Sequence, residues 1–221
     1  MTDLLELSRA NADLDGATAA DILGWAVDSF GEEALVCTAS FGDATLVHLM
    51  ATHAPGVEIV LLDTQYLFEE TLAYAEELRA RYDLRLTIVG PDPSVPRDDL
   101  WQRDPDACCA LRKVQPLERV LADRAGWISG LRRADSPNRA GTPTVSWDLR
   151  RSITKINPIA AWSDDDVADY GRRHGLPEHP LTSQGYASLG CWPCTRPVLP
   201  GEDARAGRWA GLDKTECGLH L

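Results

Sequence analysis

The residues of this chain best suited to chemistry are cysteines, which stand in two pairs and one single position. Cys191 and Cys194 form a Cys-x-x-Cys pair in a turn rich in Gly and Pro, Cys108 and Cys109 are adjacent, and Cys217 lies near a polar C-terminus. A Cys-x-x-Cys pair is typical of metal ligation or of a redox pair, depending on which other thiols reach it. These five thiols therefore predict a metal centre, a redox pair or a reactive nucleophile.

Adjacent cysteines fit a single zinc ion poorly. Thiolates on one tetrahedral zinc, with bonds near 2.3 Å, must lie within about 3.8 Å of each other, whereas neighbouring side chains on a helix diverge by about 100°. A cubane iron–sulfur cluster relaxes this demand, since each thiolate binds a different iron. The two pairs therefore favour a 4Fe–4S cluster over zinc on Cys108, Cys109, Cys191 and Cys194. Cys217 is left free to act as a nucleophile.

The composition limits the class of protein. The chain has 221 residues, of which 44% are hydrophobic, and this is ample for one sizeable core. Its formal net charge of -12 argues against nucleic acid or an acidic membrane surface as a partner. No apolar run approaches the roughly 18 residues of a membrane span, and residues 1–15 predict no signal peptide. We therefore expect a cytoplasmic protein, in which reduced cysteines serve metal binding or catalysis.

Apolar runs alternate with amphipathic stretches along the chain. The runs predict strands over residues 34–39, 58–62, 85–89 and 126–129, and two more around a turn at 149–151. Helices are predicted within residues 1–30 and over 44–50, 68–82, 106–122 and 163–174. This alternation predicts an α/β fold with a doubly wound, mostly parallel sheet, whose ligands bind beyond the carboxyl ends of the strands.

The domain organisation is expected to be simple. We expect a single domain over residues 1–221, with a nucleotide-binding core at about 15–180. Residues 181–221 are rich in Pro and Gly and predict an irregular C-terminal tail, which a metal centre would hold against the body. The sequence leaves the oligomeric state open, a homo-oligomer included.

Small and acidic residues follow the first two predicted strands. The loop after the first strand consists of Ser40, Phe41, Gly42 and Asp43, and Asp63 and Thr64 follow the second strand. Small residues let backbone N–H groups and a helix N-terminus face an anion. Each turn alone is also typical of an ordinary strand-to-helix connection. Because both lie at the same sheet edge, together they favour a nucleotide site.

Basic residues stand out in a chain this acidic. The loop after the fourth strand begins at Gly130 and carries Arg132, Arg133 and Arg139. Forked guanidinium donors suit phosphate or sulfate, although a charged loop is also typical of a solvated surface. Lys113, one helical turn beyond Cys109, is a candidate for attracting an anionic substrate.

Several of these residues fall in short motifs. The motifs are Cys108-Cys109-x-x-Arg-Lys113, Gly130-Leu-Arg-Arg133, Lys155-x-Asn-Pro158, Cys191-x-x-Cys194-Thr and Lys214-Thr-Glu-Cys217-Gly-Leu-His220. Over nearly the whole chain they resemble the assimilatory adenylyl-sulfate (APS) reductases. The resemblance implies a fold of the adenine nucleotide α-hydrolase type and a 4Fe–4S cluster on the paired cysteines. It also implies reduction of APS to sulfite and AMP with thioredoxin as reductant.

The resemblance implies roles for the tail and its basic residues. Cys217 would attack the sulfur of APS to form S-sulfocysteine, from which a thioredoxin thiolate would release sulfite. His220 is a candidate to support this nucleophile, although a terminal solvated histidine is an equal reading. The basic residues that would surround phosphate and sulfate are Lys113, Arg205 and Arg208.

The resemblance also covers the nucleotide-binding turns. The residues 40–43 correspond to a modified phosphate-binding loop, residues 130–139 to an arginine loop, and the motif near adenine corresponds to Leu62, Asp63 and Thr64. The chain departs from the family pattern at Gln65, where Gly is frequent, and at Leu67, where His is frequent. The turn at 62–68 is thus a weaker match than the cysteines.

Two alternative functions stay open at this point. A 3'-phosphoadenylyl-sulfate (PAPS) reductase would have the same fold, although such members commonly lack the paired cysteines. A non-redox nucleotide-binding or sulfur-carrier protein with a structural zinc on four cysteines belongs to a different class. The colour of the protein distinguishes the zinc alternative from an iron–sulfur reductase, because an iron–sulfur protein is brown and a zinc protein is colourless.

Overall fold

Short apolar runs form one six-stranded sheet in the computed structural model, which describes residues 4–212 and 214–220. The strands are β1 (Leu35–Thr38), β2 (Glu58–Leu62), β3 (Leu86–Val89), β4 (Gly126–Ser129), β5 (Val145–Asp148) and β6 (Ile153–Ile156). They lie in the order β3-β2-β1-β4-β6-β5, and only the hairpin of β5 and β6 is antiparallel in the described chain. The predicted doubly wound, mostly parallel sheet is confirmed.

Helices flank this sheet. They are α1 (Leu4–Leu14), α2 (Ala19–Phe30), α3 (Thr45–His53), α4 (Glu69–Tyr82), α5 (Leu100–Arg103), α6 (Pro105–Cys109), α7 (Gln115–Leu121) and α8 (Asp164–His174). Capping boxes formed by Thr18 with Asp21 and by Ser163 with Asp166 start α2 and α8. Within the described residues, every helix is too short or too polar to cross a membrane.

The stretch 106–122, predicted as one regular helix, changes its winding midway. Between α6 and α7 lies a π-helical segment, Ala110–Val114. Pro116 has no N–H to donate to the carbonyl of Arg112, and its ring crowds that carbonyl, so a wider turn accommodates it. The wide turn carries Arg112 and Lys113, next to the buried Cys108 and Cys109.

Each face of the sheet carries its own apolar core. One face buries Cys37 and Ile128 against the helices α2, α3 and α4. The other face buries Val36 and Trp127 under α7, and the partly buried Leu219 of the C-terminal segment packs against it. Side chains alternate between faces along a strand, which explains why neighbours such as Val36 and Cys37 join different cores. The C-terminal segment therefore helps to cover the second face.

The C-terminal segment has little regular structure, as the sequence predicts. In the described part of residues 175–220, regular structure is limited to two 3-10 turns, Thr182–Gln184 and Trp192–Cys194, and isolated bridges. The N-terminal helix α1 contacts the edge strand β5, where Asn11 Oδ1 accepts a hydrogen bond from Val145 N at 2.9 Å. The expected domain limits at residues 1 and 221 lie outside the described residues.

Candidate active site

The two cysteine pairs meet in one cavity, although they are distant in sequence. Cys108 and Cys109 end α6, Cys191 and Cys194 lie around the turn Trp192–Cys194, and all four line the same cavity. Burial, followed by the charge of neighbouring cysteines, raises the pKa of Cys194 to about 11. The described residues contain no group of three or more His, Cys, Asp or Glu side chains arranged to hold a metal ion.

The turn after β2 holds the Cys-x-x-Cys segment in place. Thr64 is buried, its Oγ1 lies 3.2 Å from Cys191 Sγ, and it accepts a hydrogen bond from Tyr66 N. Trp192 N donates to Tyr66 O at 2.8 Å. Asp63 Oδ1 accepts from Gln65 N at 2.8 Å, which shapes the turn. The predicted contacts of this turn with a nucleotide remain a prediction, while its contact with the cysteine segment is direct.

Both departures from the family pattern have a structural role in this turn. Gln65 has φ +67°, a region that Gly adopts readily and other residues rarely do. Its Oε1 accepts a hydrogen bond from Arg112. Leu67 forms an isolated bridge with Cys191. The two residues therefore tie the turn to the π-helical segment Ala110–Val114 and to the cysteine segment.

Arg112 is a site residue that reasoning from the sequence did not single out. Its side chain is 1% exposed, stacks on Tyr66 at 4.8 Å and donates to Pro96 O. Burial raises the pKa of Cys108, and Arg112 counteracts this shift through its charge and a hydrogen bond. The available signal was its position four residues after Cys108, which places both on one side of a helix.

Two further cations face the cysteines. Burial alone would lower the pKa of Lys113, but the charges of Cys191 and Cys217 raise it above its ordinary value. Arg208 Nη1 donates to Leu189 O at 2.7 Å, and its buried Nε has no hydrogen-bond partner among the described residues. Burial and the charge of Arg205 lower the pKa of Arg208. The predicted pair Lys113 and Arg208 thus lies at the cysteine cavity, as its lining residues show.

Cys217 joins the same cluster of charges. It is half-buried, and its charge acts on Cys109, Lys113 and Arg208. The preceding Glu216 accepts two hydrogen bonds from Arg139, at 2.9 and 2.8 Å. The thiol predicted as nucleophile is therefore held beside the paired cysteines and the two cations.

Several tail contacts surround this thiol. Arg205 Nη2 donates to Thr215 O at 3.2 Å, and Lys214 pairs with Asp106 of α6. Arg205 thus binds the tail itself in this structure. Its predicted contact with substrate stays a prediction.

His220 lies on the sheet face. Its ring stacks on Trp127, with centroids 5.2 Å apart and planes at 12°, and its Nδ1 lies 3.1 Å from Lys155 Nζ. Burial and the charge of Lys155 lower the pKa of His220 well below its usual value. No hydrogen bond joins His220 to Cys217 in residues 214–220. Any support of the nucleophile by His220 is therefore indirect.

The loop after β1 is compact and partly exposed. Phe41 is buried with φ +54°, whereas Ser40 and Asp43 are exposed. Asp43 Oδ1 accepts from Thr45 N at 2.7 Å, which shapes the start of α3. A side chain at Gly42 would approach Leu189, which lies next to the cysteine segment. The loop thus borders the same region, and its binding of phosphate remains a prediction.

The arginine loop is already paired with carboxylates. The ion pairs of its three arginines are Arg132 with Asp135 and Asp164 at 2.8 and 2.9 Å, Arg133 with Asp15 at 2.8 Å, and Arg139 with Asp135 and Glu216 at 2.7 and 2.8 Å. Gly130 lies against Leu46. Arg139 therefore holds the tail, and the predicted binding of an anion by this loop stays a prediction.

The chain is similar to known proteins over nearly its whole length. The sequence model of the phosphoadenosine phosphosulfate reductase domain matches residues 34–197. The adenosine 5'-phosphosulfate reductase of Streptomyces coelicolor is 50% identical, over 96% of this chain and 92% of that protein. The protein of the same name from Mycolicibacterium smegmatis is 43% identical, over 99% and 95%.

Solved structures share the fold. A phosphoadenylyl-sulfate reductase from Candida auris, in a phosphate complex, has a TM-score of 0.78 and 24% identity, and the match covers 89% of this chain and 98% of that one. An FMN adenylyltransferase from Candida glabrata has a TM-score of 0.61 and 14% identity, over 81% and 64%. These neighbours confirm the predicted adenine nucleotide α-hydrolase-like fold. On its sequence match and its curated relatives, the chain belongs to the phosphoadenosine phosphosulfate reductase family.

Proposed function

We propose that this chain reduces APS to sulfite and AMP, with thioredoxin as the reductant. The observation that carries the proposal is that Cys217 interacts through its charge with Lys113 and Arg208, both of which line the cavity of the four paired cysteines. A thiolate and an anionic substrate repel each other, so the reaction needs cations where they meet. The names of the curated relatives support APS as the substrate.

The proposed chemistry has two steps. The Cys217 thiolate attacks the sulfur of APS, a sulfur–sulfur bond forms, and AMP leaves with the electron pair of the broken sulfur–oxygen bond. A thioredoxin thiolate then attacks Cys217 Sγ, and sulfite leaves with the bonding electrons. The second thioredoxin thiol frees Cys217 as thioredoxin becomes a disulfide. The two electrons for sulfite thus come from the thioredoxin dithiol.

The number and type of the paired cysteine side chains suit a 4Fe–4S cluster. Four thiols converge on one cavity, and Lys113, Arg112 and Arg208 supply positive charge around them. Thiolate spacing in such a cluster is wider than on one zinc, which suits the adjacent pair. When bound, the cluster would supply covalent links between α6 and the C-terminal segment. It is proposed here on Cys108, Cys109, Cys191 and Cys194.

The nucleotide is proposed to lie at the carboxyl edge of β1, β2 and β4. Ser40–Asp43 follows β1, Leu62–Thr64 covers the last residue of β2 and the turn after it, and the loop 130–139 follows β4. The switch point of the sheet lies between β1 and β4, because the strand order reverses there. APS at this edge would direct its phosphosulfate to Lys113, Arg205 and Arg208.

Sulfite release decides between the candidate functions. Purified, iron-loaded protein with reduced thioredoxin is expected to release sulfite from APS much faster than from PAPS. Faster release from PAPS would favour the alternative activity on this fold. No release from either nucleotide, together with zinc in place of iron, would favour the non-redox alternative.

The reduced cysteines that the site needs suit the cytoplasm, which we propose as the location of the protein.

Arg208 tests the binding of phosphosulfate. Its buried Nε has no protein partner, so a substrate oxygen is the acceptor we expect. Arg208→Ala should weaken APS binding by about 1.5–3 kcal/mol, the usual range for a hydrogen bond to a charged group. Isothermal calorimetry with the Cys217→Ser protein measures this without turnover.

A matched control is Arg196→Ala. Arg196 pairs with Glu202 at 2.8 Å and is partly exposed, so its loss should leave APS affinity unchanged. Equal affinity of the Arg208→Ala and parent proteins would remove Arg208 from the substrate site.

A further inference from the structure

The last described residues of the chain rest on a defined surface. We call Trp127 and Lys155 the tail seat. Trp127 is fully buried, and its Nε1 donates to Thr38 Oγ1 at 2.8 Å, so the indole is fixed within the sheet. The register pairs Trp127 of β4 with Lys155 of β6, and Lys155 Nζ lies 4.6 Å from the centre of the indole ring. The seat is thus built from rigid strands.

His220 contacts both residues of the tail seat, one through its ring and the other through a ring nitrogen. The imidazole stacks on Trp127, and Lys155 is placed to donate to its Nδ1 at 3.1 Å. The lowered pKa of His220 means a neutral ring, and a neutral ring leaves Nδ1 free to accept when Nε2 carries the proton. Leu219 packs against the same apolar cluster. Two consecutive residues therefore fasten the tail to the second sheet face.

The geometry points to Lys155 as a positioning residue, which seats His220 on Trp127 and thereby holds Cys217 at the cysteine cavity. The role of Lys155 in catalysis rests on the function proposed above. Three residues of chain span at most about 11 Å, so a seated His220 confines the excursion of Cys217. The pair of Arg139 with Glu216 holds the preceding residue. Cys217 is thus fastened on both sides.

Lys155 has little to contribute to the body of the fold. Burial lowers the pKa of Lys155 to about 8, although the charge of Asp148 acts against this shift, so the buried amine costs free energy that its contact with the tail helps to offset. Methionine has a similar length and no donor. Lys155→Met should therefore keep the core intact while it removes the hydrogen bond to His220 and the cation–π contact with Trp127. A loss of tail docking would then have a local cause.

The lysine content of the chain offers a direct assay of tail docking. Its lysines are Lys113, Lys155 and Lys214. Lys155 is buried in β6, and Lys113 lies in the π-helical segment next to the cysteines. Lys214, in contrast, belongs to the tail and precedes Cys217. A lysine-specific protease acting on native, iron-loaded protein therefore reports tail release by cleavage after Lys214. Unfolding is reported separately by cleavage after Lys113.

We expect Lys155→Met to raise native cleavage after Lys214 by about tenfold, because cleavage follows the population of the released tail. Cleavage after Lys113 should stay as slow as in the parent protein. His220→Ala should give a similar rise. The double variant should rise no further than either single variant, since both changes break the same contact.

Two controls separate the contact from the loss of a charge. Lys155→Arg keeps a cationic donor and should stay within about threefold of the parent rate. Arg150→Met removes a basic residue that lines the same cavity as Lys155 and His220, and it should leave cleavage unchanged. Parent-like cleavage in Lys155→Met, or additive effects in the double variant, would overturn the proposal.

An activity measurement links the seat to catalysis. Lys155→Met should form the sulfo-adduct on Cys217 more slowly at saturating APS, while its affinity for AMP stays that of the parent, because the seat positions the thiol and not the nucleotide. Equal loss of AMP affinity would contradict a positioning role. If the parent protein forms no adduct at all, the proposed function fails, yet the protease assay still decides whether Lys155 seats the tail.

Discussion

A Cys217→Ser variant is expected to keep its iron and bind APS but to lose sulfite release by at least about a thousandfold, because the reaction runs through this sulfur. A hydroxyl is a far weaker nucleophile than a thiolate unless a base activates it. His220 contacts Lys155 and Trp127 and makes no hydrogen bond to Cys217 within residues 214–220, so it is not placed to activate a serine at this position. A sulfate ester on the serine would also lack the sulfur–sulfur bond that the thioredoxin thiolate cleaves.

The covalent intermediate gives this prediction its sharpest measurement. Parent protein mixed with APS, without thioredoxin, should gain one SO3 unit on the peptide that follows Lys214 in a lysine-specific digest. Reduced thioredoxin should remove that mass and release sulfite in equal amount. The Cys217→Ser protein should show no mass gain.

Cys37 supplies the matched control. It is fully buried in β1, where burial raises its pKa far above the usual value, so it offers no thiolate. Cys37→Ala should form the adduct like the parent protein. An adduct on any cysteine other than Cys217, or parent-like turnover by Cys217→Ser, would place the covalent chemistry elsewhere.

The fold was predictable because local signals and the global fold agree. Strand-length apolar runs such as 58–62 and capping boxes such as Thr18 with Asp21 depend on residues close in sequence. The convergence of the two cysteine pairs on one cavity was also predictable, since adjacent cysteines and a Cys-x-x-Cys pair together favour a shared metal centre. The wide turn before Pro116 was not predicted, although the proline is its physical cause.

Side-chain partners that are distant in sequence could not be predicted. The arginine loop has the composition of an anion site, but its partners Asp15, Asp164 and Glu216 come from three other segments. The contact of Lys155 with His220 depends on the pairing of β4 with β6 and on the path of the tail. No periodicity or motif encodes that path. These contacts arise only when the elements are assembled.

A Cys109→Ala variant is expected to lose iron and activity together. Cys109 is 8% exposed and lines the cavity with the other three paired cysteines, so it is placed to be a ligand. Removal of groups that only support metal ligands typically costs about 10–100-fold in metal affinity, and loss of a ligand should cost at least as much. Iron per chain should therefore fall at least about tenfold, with loss of the broad visible absorption of the parent protein.

The control and the measurement separate a cluster from a zinc site. Iron and zinc are measured per chain in the parent, Cys109→Ala and Cys37→Ala proteins, all purified without oxygen. Cys37→Ala should keep full iron, because Cys37 packs in the core of the other sheet face and does not line the cavity. Full iron in Cys109→Ala would remove Cys109 from the ligand set. Zinc with little iron in the parent protein would instead show that four thiols from α6 and the C-terminal segment hold a single ion despite the adjacent pair.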